Sequence, residues 1–369
     1  MVSDKFRRQL RQEAEQWRTE GLIEDSVYEQ LSQRYQFNDI EAAARNRFVV
    51  ILLGLGSVLL GLGILAFAAA NWQGWPRGLK VPLLLGGFVA VNTAGFYLWR
   101  RPIERWQRRL GQGLLLLGAL VLGANLVLMS QLFHQNTLTY QWFFLWGLGV
   151  LAMAYCLQLT FLGMLSALLI GLGYLTHSWR PPEILATDEF YWLPLMVQYM
   201  PVLAGLMFIP LAYLCRSRWI FRFGAIATVY SLEASLIRLN LLNSPAWIAA
   251  IACALPPAML WGYSDRIWGK YQPTAESFQG IARTLAITFL AFLFYILSWF
   301  GLWNTTSMPL LEKASPLPLA LLVNIVILSG FTFWEWWQLL RRLERTTIRT
   351  TIFVAGAIAI SAIVPYWHL

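Results

Sequence analysis

The chain has 369 residues, of which 58 % are hydrophobic and 13 % charged, with a formal net charge of +9. A soluble domain carries about 25 % charged residues, so this composition excludes an ordinary water-soluble globule and indicates a polytopic membrane protein. The basic excess does not point to nucleic acid, because the arginines lie in short blocks between apolar runs rather than along one phosphate-binding face.

Residues 1–47 form the one sizeable polar segment. Phe6, Leu10, Ala14 and Trp17 recur at helical spacing among Arg, Gln and Glu, which predicts an amphipathic helix. Gly21 suits a left-handed helix end, and Asp25 or Ser26 can cap a second helix whose Val27, Leu31 and Tyr35 face the first. So small a hairpin cannot bury its own core and must rest on the membrane part, a second copy or a protein partner. The charged stretch ahead of the first apolar run predicts no cleavable signal peptide.

Residues 48–369 read as a transmembrane helix bundle. Val49 to Ala70 is free of charge and meets the roughly 20 residues that a spanning helix needs. Its Gly54, Gly56, Ser57, Gly61 and Gly63 predict close packing on more than one side, near the middle of the bundle. Asn71, Trp72, Trp75 and Pro76 then make an interfacial turn, and Leu79 to Trp99 crosses back. Further spans are expected at Leu110–Leu132, Gln141–Leu157, Phe161–Thr176 and Tyr191–Leu214, the last kinked by Pro194, Pro201 and Pro210. Phe223–Leu239, Pro245–Tyr263, Thr284–Trp303, Leu317–Trp337 and Thr351–Tyr366 complete about eleven helices. The uncharged connection Gln158–Thr160 leaves a re-entrant hairpin open as an alternative for Gln141–Thr176.

Most of the 28 lysines and arginines then fall on one side, including Arg100, Arg101, Arg216, Arg218, Arg222, Arg341 and Arg342. Basic loops stay in the cytosol, which places the N-terminus inside and the C-terminus outside a bacterial inner membrane. Cys156, Cys215 and Cys253 cannot form a disulfide framework and are expected as free thiols.

Ionisable groups inside a span are functional candidates, because burying them in lipid is costly. Glu233 lies near mid-depth and Arg238 toward the outer end of the same helix, about 140° apart around it, so they are not an intrahelical pair. Asn92, Asn125 and Asn324 are polar residues in other spans that can join a site with Glu233 or simply bond helix to helix. His134, His177 and His368 map to outer helix ends without metal-ligand spacing, so neither metal nor cofactor is expected. Glu183, Asp188 and Glu189 make one acidic outer loop, read as solvated surface. No phosphate-binding loop, zinc motif or nucleophile elbow is present, and no catalytic residue is assigned.

Trp17-x3-Gly21-Leu22-Ile23 with Tyr35, followed by a Gly-rich first span ending Ala70-Asn71-Trp72, resembles a family of predicted bacterial membrane proteins, domain of unknown function 2157. The resemblance is best over about the first 100 residues. It implies a multi-pass inner-membrane protein and carries no catalytic residues. Two non-enzymatic functions are expected. One is a scaffold or sensor that captures a partner or a second copy through residues 1–47. The other is a transporter or lipid-handling protein with a polar site near Glu233. An intramembrane enzyme is the least supported class, and the lipid bilayer is an expected partner.

Overall fold

The computed structural model describes residues 4–35, 76–102, 104–133, 138–178, 192–237, 246–265, 277–298, 318–341 and 345–368, with scattered positions between 48 and 70. Thirteen helices are numbered among the described residues. They are α1 (Asp4–Thr19), α2 (Asp25–Tyr35), α3 (Arg77–Arg100), α4 (Arg105–Phe133), α5 (Thr139–Leu157), α6 (Thr160–Ser178) and α7 (Trp192–Gln198). They continue as α8 (Met200–Leu214), α9 (Arg218–Ile237), α10 (Ala246–Gly262), α11 (Phe278–Leu297), α12 (Leu319–Leu340) and α13 (Arg345–His368). Seven are long and apolar enough to cross a membrane, and α7 and α8, bent by 83° at their junction, are long and apolar enough only when taken together. The fold class is therefore the all-α polytopic membrane bundle that the composition predicts. The surface agrees: Phe353, Phe333 and Val326 are 78 %, 72 % and 69 % exposed, which only a lipid solvent makes favourable.

Two compact units make up the chain, Met1–Leu132 and Phe133–Leu369. In the first, α1 ends in a Schellman motif: Leu22 N–H reaches the Trp17 carbonyl at 2.8 Å and Gly21 N–H the Arg18 carbonyl at 3.2 Å. That geometry needs the left-handed φ of 74° at Gly21, which costs glycine nothing. Arg18 then ties to Asp25 at 2.6 Å and lies over the Tyr28 ring, so the expected helical hairpin forms.

Helices α3 and α4 are antiparallel, and their contacts step evenly along both. A Cβ at Gly111 would lie 2.5 Å from Trp99 N, and one at Gly118 would lie 2.4 Å from Asn92 Oδ1. One stage further, Asn125 Nδ2 donates to the Leu84 carbonyl at 2.9 Å. Small residues let these backbones meet, as lipid-embedded helices require. The stripes of the preceding apolar run behave differently. Its described positions are helical, but Leu52, Leu55 and Leu59 are 56–58 % exposed, and a Cβ at Gly54, Gly56 or Gly63 meets nothing within 4 Å. The expectation of a central, packed first helix is thus corrected, and the close approach belongs to α3 and α4. Asn71 to Trp75 lie outside the described residues.

In the second unit α5 and α6 pair antiparallel, with Gly147 against Ile170 and Gly173 against Phe144. Ser166 Oγ donates across this pair to the Gly147 carbonyl at 3.0 Å. Each helix has 19 residues, about 28 Å of rise, enough to cross the hydrocarbon without a re-entrant turn. Their link turns at Gln158, held at φ 53°, a left-handed conformation that strains a residue with a Cβ. Helix α6 then runs parallel to α9, with Gly163 against Ile220 and the Tyr174 hydroxyl donating to the Ser231 carbonyl at 3.0 Å. The core proper joins α9 to α13 through Leu232, Ile248, Leu255, Ala286, Ile325 and Val354.

Two substitutions test this arrangement. Gln158→Gly relieves the left-handed strain and should stabilise the protein by about 0.5–1 kcal/mol, read as a higher unfolding midpoint in detergent. Gly118→Leu forces the Asn92 side chain aside and should lower that midpoint, whereas Gly56→Leu should leave it unchanged.

Candidate functional site

The expected site residues answer to several different partners. Asn92 Nδ2 donates to the Phe88 carbonyl of its own helix at 2.9 Å, and Asn125 bonds α4 to α3 as described. Both belong to the first unit, whereas Glu233 and Asn324 belong to the second. Arg238 lies outside the described residues, as do His134 and the Glu183–Glu189 loop. Glu233 is mostly buried on α9 and stands within electrostatic reach of Cys253 on α10, with its Oε1 lacking a hydrogen bond. His177 packs edge-on against Tyr140 at 5.0 Å. Among the described residues no group of three His, Cys, Asp or Glu stands where it could hold a metal.

Asn324 has a specific task. Helices α7 and α8 break at Tyr199, and Pro201 opens the next helix without an amide proton to donate. Val202 N–H, which would reach Gln198 in an unbroken helix, turns instead to the Tyr199 carbonyl at 3.2 Å. The released Gln198 carbonyl is taken by Asn324 Nδ2 at 2.7 Å. Asn324 is fully buried, so the bond closes a polar group that has no water to turn to.

One helical turn further along α12 a cavity of about 320 Å³ opens. Its wall is built from Val202, Gly205 and Leu206 of α8, Ala225 and Thr228 of α9, Met259 of α10, Ala282 of α11 and Leu328 of α12. The space exists because Gly205 contributes no side chain where a Cβ would have only ordinary contact with Thr228, at 3.5 Å. Thr228 spends its hydroxyl proton on the Gly224 carbonyl at 2.9 Å, which leaves the wall almost wholly apolar. Leu206 and Ile327 on the wall are 63 % and 47 % exposed, so the cavity opens sideways, toward lipid. Glu233 is not on this wall: it lies about 140° around α9 from Thr228.

Past Tyr263, the polar end of the wall, a hydrogen-bonded cluster begins. Tyr263 and Tyr213 hydroxyls are 2.8 Å apart, and Tyr213 donates to Asp265 Oδ1. Gln279 N–H reaches Asp265 Oδ2 at 3.3 Å, and Ser264 Oγ donates to Glu335 Oε2 at 2.8 Å. Phe278 stacks edge-on with Tyr213 at 4.8 Å and nearly parallel with Phe221 at 4.9 Å, which seals the cluster. Burial pushes the Tyr263 phenol above its ordinary range, and the nearby Asp265 and Glu335 carboxyl groups add to it. Around the same end, Arg222 lies over Trp219 at 5.0 Å and Arg341 over Trp337 at 4.8 Å, pairs typical of a membrane–water boundary.

Sequence reasoning missed both carboxylates. Glu335 is 1 % exposed inside α12. A carboxylate flanked by Trp334, Trp336 and Trp337 within an expected span was the available signal. Asp265 is 6 % exposed but follows a span in a short polar run, Ser264-Asp265-Arg266, that reads as an ordinary loop.

These features define a polytopic helical membrane protein with an apolar cavity that opens sideways and is tipped by a buried polar cluster. Residues 15–163 match the family described as predicted membrane protein, DUF2157. The chain belongs to this family. It is also similar to the probable 4-amino-4-deoxy-L-arabinose-phosphoundecaprenol flippase subunit ArnE of Klebsiella pneumoniae, 31 % identical over 96 residues, 26 % of this chain and 84 % of that protein. The same subunit of Escherichia fergusonii is 30 % identical over 100 residues, 27 % of this chain and 88 % of its own length. That of Salmonella typhimurium is 30 % identical over 101 residues, 27 % of this chain and 87 % of its own length. No solved structure matches the chain.

Two measurements check the local chemistry. Asn324→Leu strands the Gln198 carbonyl and should cost about 1–2 kcal/mol, read from the unfolding midpoint. Burial raises the Cys215 thiol, at the end of α8, from 9.0 to about 11. A raised thiol is less often thiolate, so alkylation of Cys215 at pH 7.5 should run about 100-fold slower than for a thiol of ordinary acidity. The rate should climb with pH until about 11.

Proposed function

We propose that the protein handles lipid, taking a hydrocarbon chain from the bilayer into the cavity between α8, α9 and α12. The observation that carries this reading is the sideways opening of an apolar, span-embedded cavity of about 320 Å³, flanked by exposed Leu206 and Ile327. Small-molecule sites occupy roughly 300–1,000 Å³, so the space suits part of one chain rather than a whole lipid. The bent α7–α8 pair supports it too, since broken helices are tolerated in membranes where they border a cavity. Similarity to probable flippase subunits for 4-amino-4-deoxy-L-arabinose-phosphoundecaprenol fits the same class. Glu233 is then a second, separate polar position, and a role for it with Arg238 or Asn324 is part of the proposal.

The orientation proposed is the one the basic residues favour, with the N-terminus and the Tyr213–Asp265 cluster on the cytoplasmic side of a bacterial inner membrane. Cysteines placed at Gln107 and Thr137 should be labelled from the cytoplasmic and outer side respectively; the reverse pattern overturns the orientation. A second reading, capture of a protein partner or another copy by α1 and α2, draws on the exposure of Leu22 at 68 % and Val27 at 42 %. Removing residues 1–45 should then abolish crosslinked partner capture while leaving the membrane part folded.

A photoreactive lipid with its diazirine on the acyl chain should label α8 and α12. Gly205→Leu fills the cavity and should cut that labelling at least fivefold without lowering the unfolding midpoint. Undiminished labelling removes the cavity from the function.

A further inference from the structure

The hydroxyl protons of the polar cluster can be counted. Tyr213 owns one and gives it to Asp265 Oδ1, so the 2.8 Å contact between the two phenols must be Tyr263 donating to Tyr213. The other Asp265 oxygen accepts from Gln279 N–H. The chain of bonds runs Tyr263 to Tyr213 to Asp265, and every donor points away from the cavity that Tyr263 lines. Tyr263 has no proton left to offer, but its oxygen keeps accepting capacity. A run of bonds that ends on a carboxylate polarises each member, which makes the first oxygen a better acceptor.

We propose that the cavity selects lipids whose polar end carries a hydrogen-bond donor, a hydroxyl or an ammonium group, and that the Tyr263 oxygen receives it. The proposal rests on the chain-binding reading above and names what that chain is attached to. The neighbouring groups agree with it. Asp265 and Glu335, the latter held by Ser264 next to Tyr263, place acceptor oxygens behind this wall, which offer no hydrogen to a phosphate or carboxylate there. The rest of the wall gives the polar end no competing partner, since Thr228 is engaged with its own helix.

The test uses the full chain in phosphatidylcholine nanodiscs with three twelve-carbon photoreactive probes, ending in hydroxyl, ammonium or phosphate. Hydroxyl and ammonium probes should label α8 and α12 about tenfold more than the phosphate probe, and their ratio to each other tells which donor is preferred. Tyr263→Phe should level the three. Tyr213→Phe supplies the sharper outcome: it frees the Tyr263 proton, so the ranking should move toward phosphate. A phosphate preference in the wild type, or an unchanged donor preference in Tyr263→Phe, overturns the proposal and leaves chain binding intact. Failure of all three probes to label overturns chain binding itself, and this selection with it.

Discussion

A backbone carbonyl in hydrocarbon has no water to fall back on, and much of this structure is arranged around that constraint. Prolines interrupt several apolar helices, and side chains from neighbouring helices serve the carbonyls that regular bonding no longer reaches. Asn324 serves Gln198 at the α7–α8 break. Pro257 cannot bond to the Cys253 carbonyl, and Ser361 of α13, whose hydroxyl donates mainly to its own Ile358 carbonyl at 2.7 Å, lies 3.4 Å from that oxygen. Beside Pro210, the Tyr155 hydroxyl donates to the Met207 carbonyl at 2.6 Å. The same polar atoms that repair one helix fix the neighbour's position, so interhelical geometry follows from local defects.

The cavity and the cluster are joined by this logic. The bend lies at one end of the α8 wall and the Tyr213–Asp265 cluster at the other. Val202, Gly205, Leu206 and Ile209 lie between, spanning about 10 Å of helix. At the two ends polar groups bond within the protein, Asn324 to the Gln198 carbonyl and Tyr213 to Asp265, and the stretch between them is apolar. The wall from Leu206 to Tyr263 is almost wholly apolar.

The membrane class was legible because lipid imposes length and apolarity on every span, and both survive in a linear sequence. The kink near Pro201 was legible for the same reason, though neither its 83° bend nor the bond from Asn324, 126 residues away, was. Glycine patterns misled at Gly54, Gly56 and Gly63. Small residues permit close approach without specifying a partner, and only the contacts at Gly111 and Gly118 show which stripe is used. The site was the least legible part. Glu233 drew attention by its depth, while the cavity beside Tyr263 is assembled from Val, Leu, Met and Phe that individually signal nothing. Asp265 and Glu335 acquire meaning only when Tyr213 and Ser264 are folded against them.

Gly205 gives the cavity a particular character. The backbone there already accepts a methyl group, which would rest in ordinary contact with Thr228 at 3.5 Å. Steric necessity therefore does not keep the space open, as it does at Gly111, where any side chain would strike the Trp99 backbone. The two glycines are opposites: one holds two helices together, the other withholds contacts that packing would have welcomed. A void of that second kind is a stored vacancy, left unfilled by choice of residue rather than by steric need.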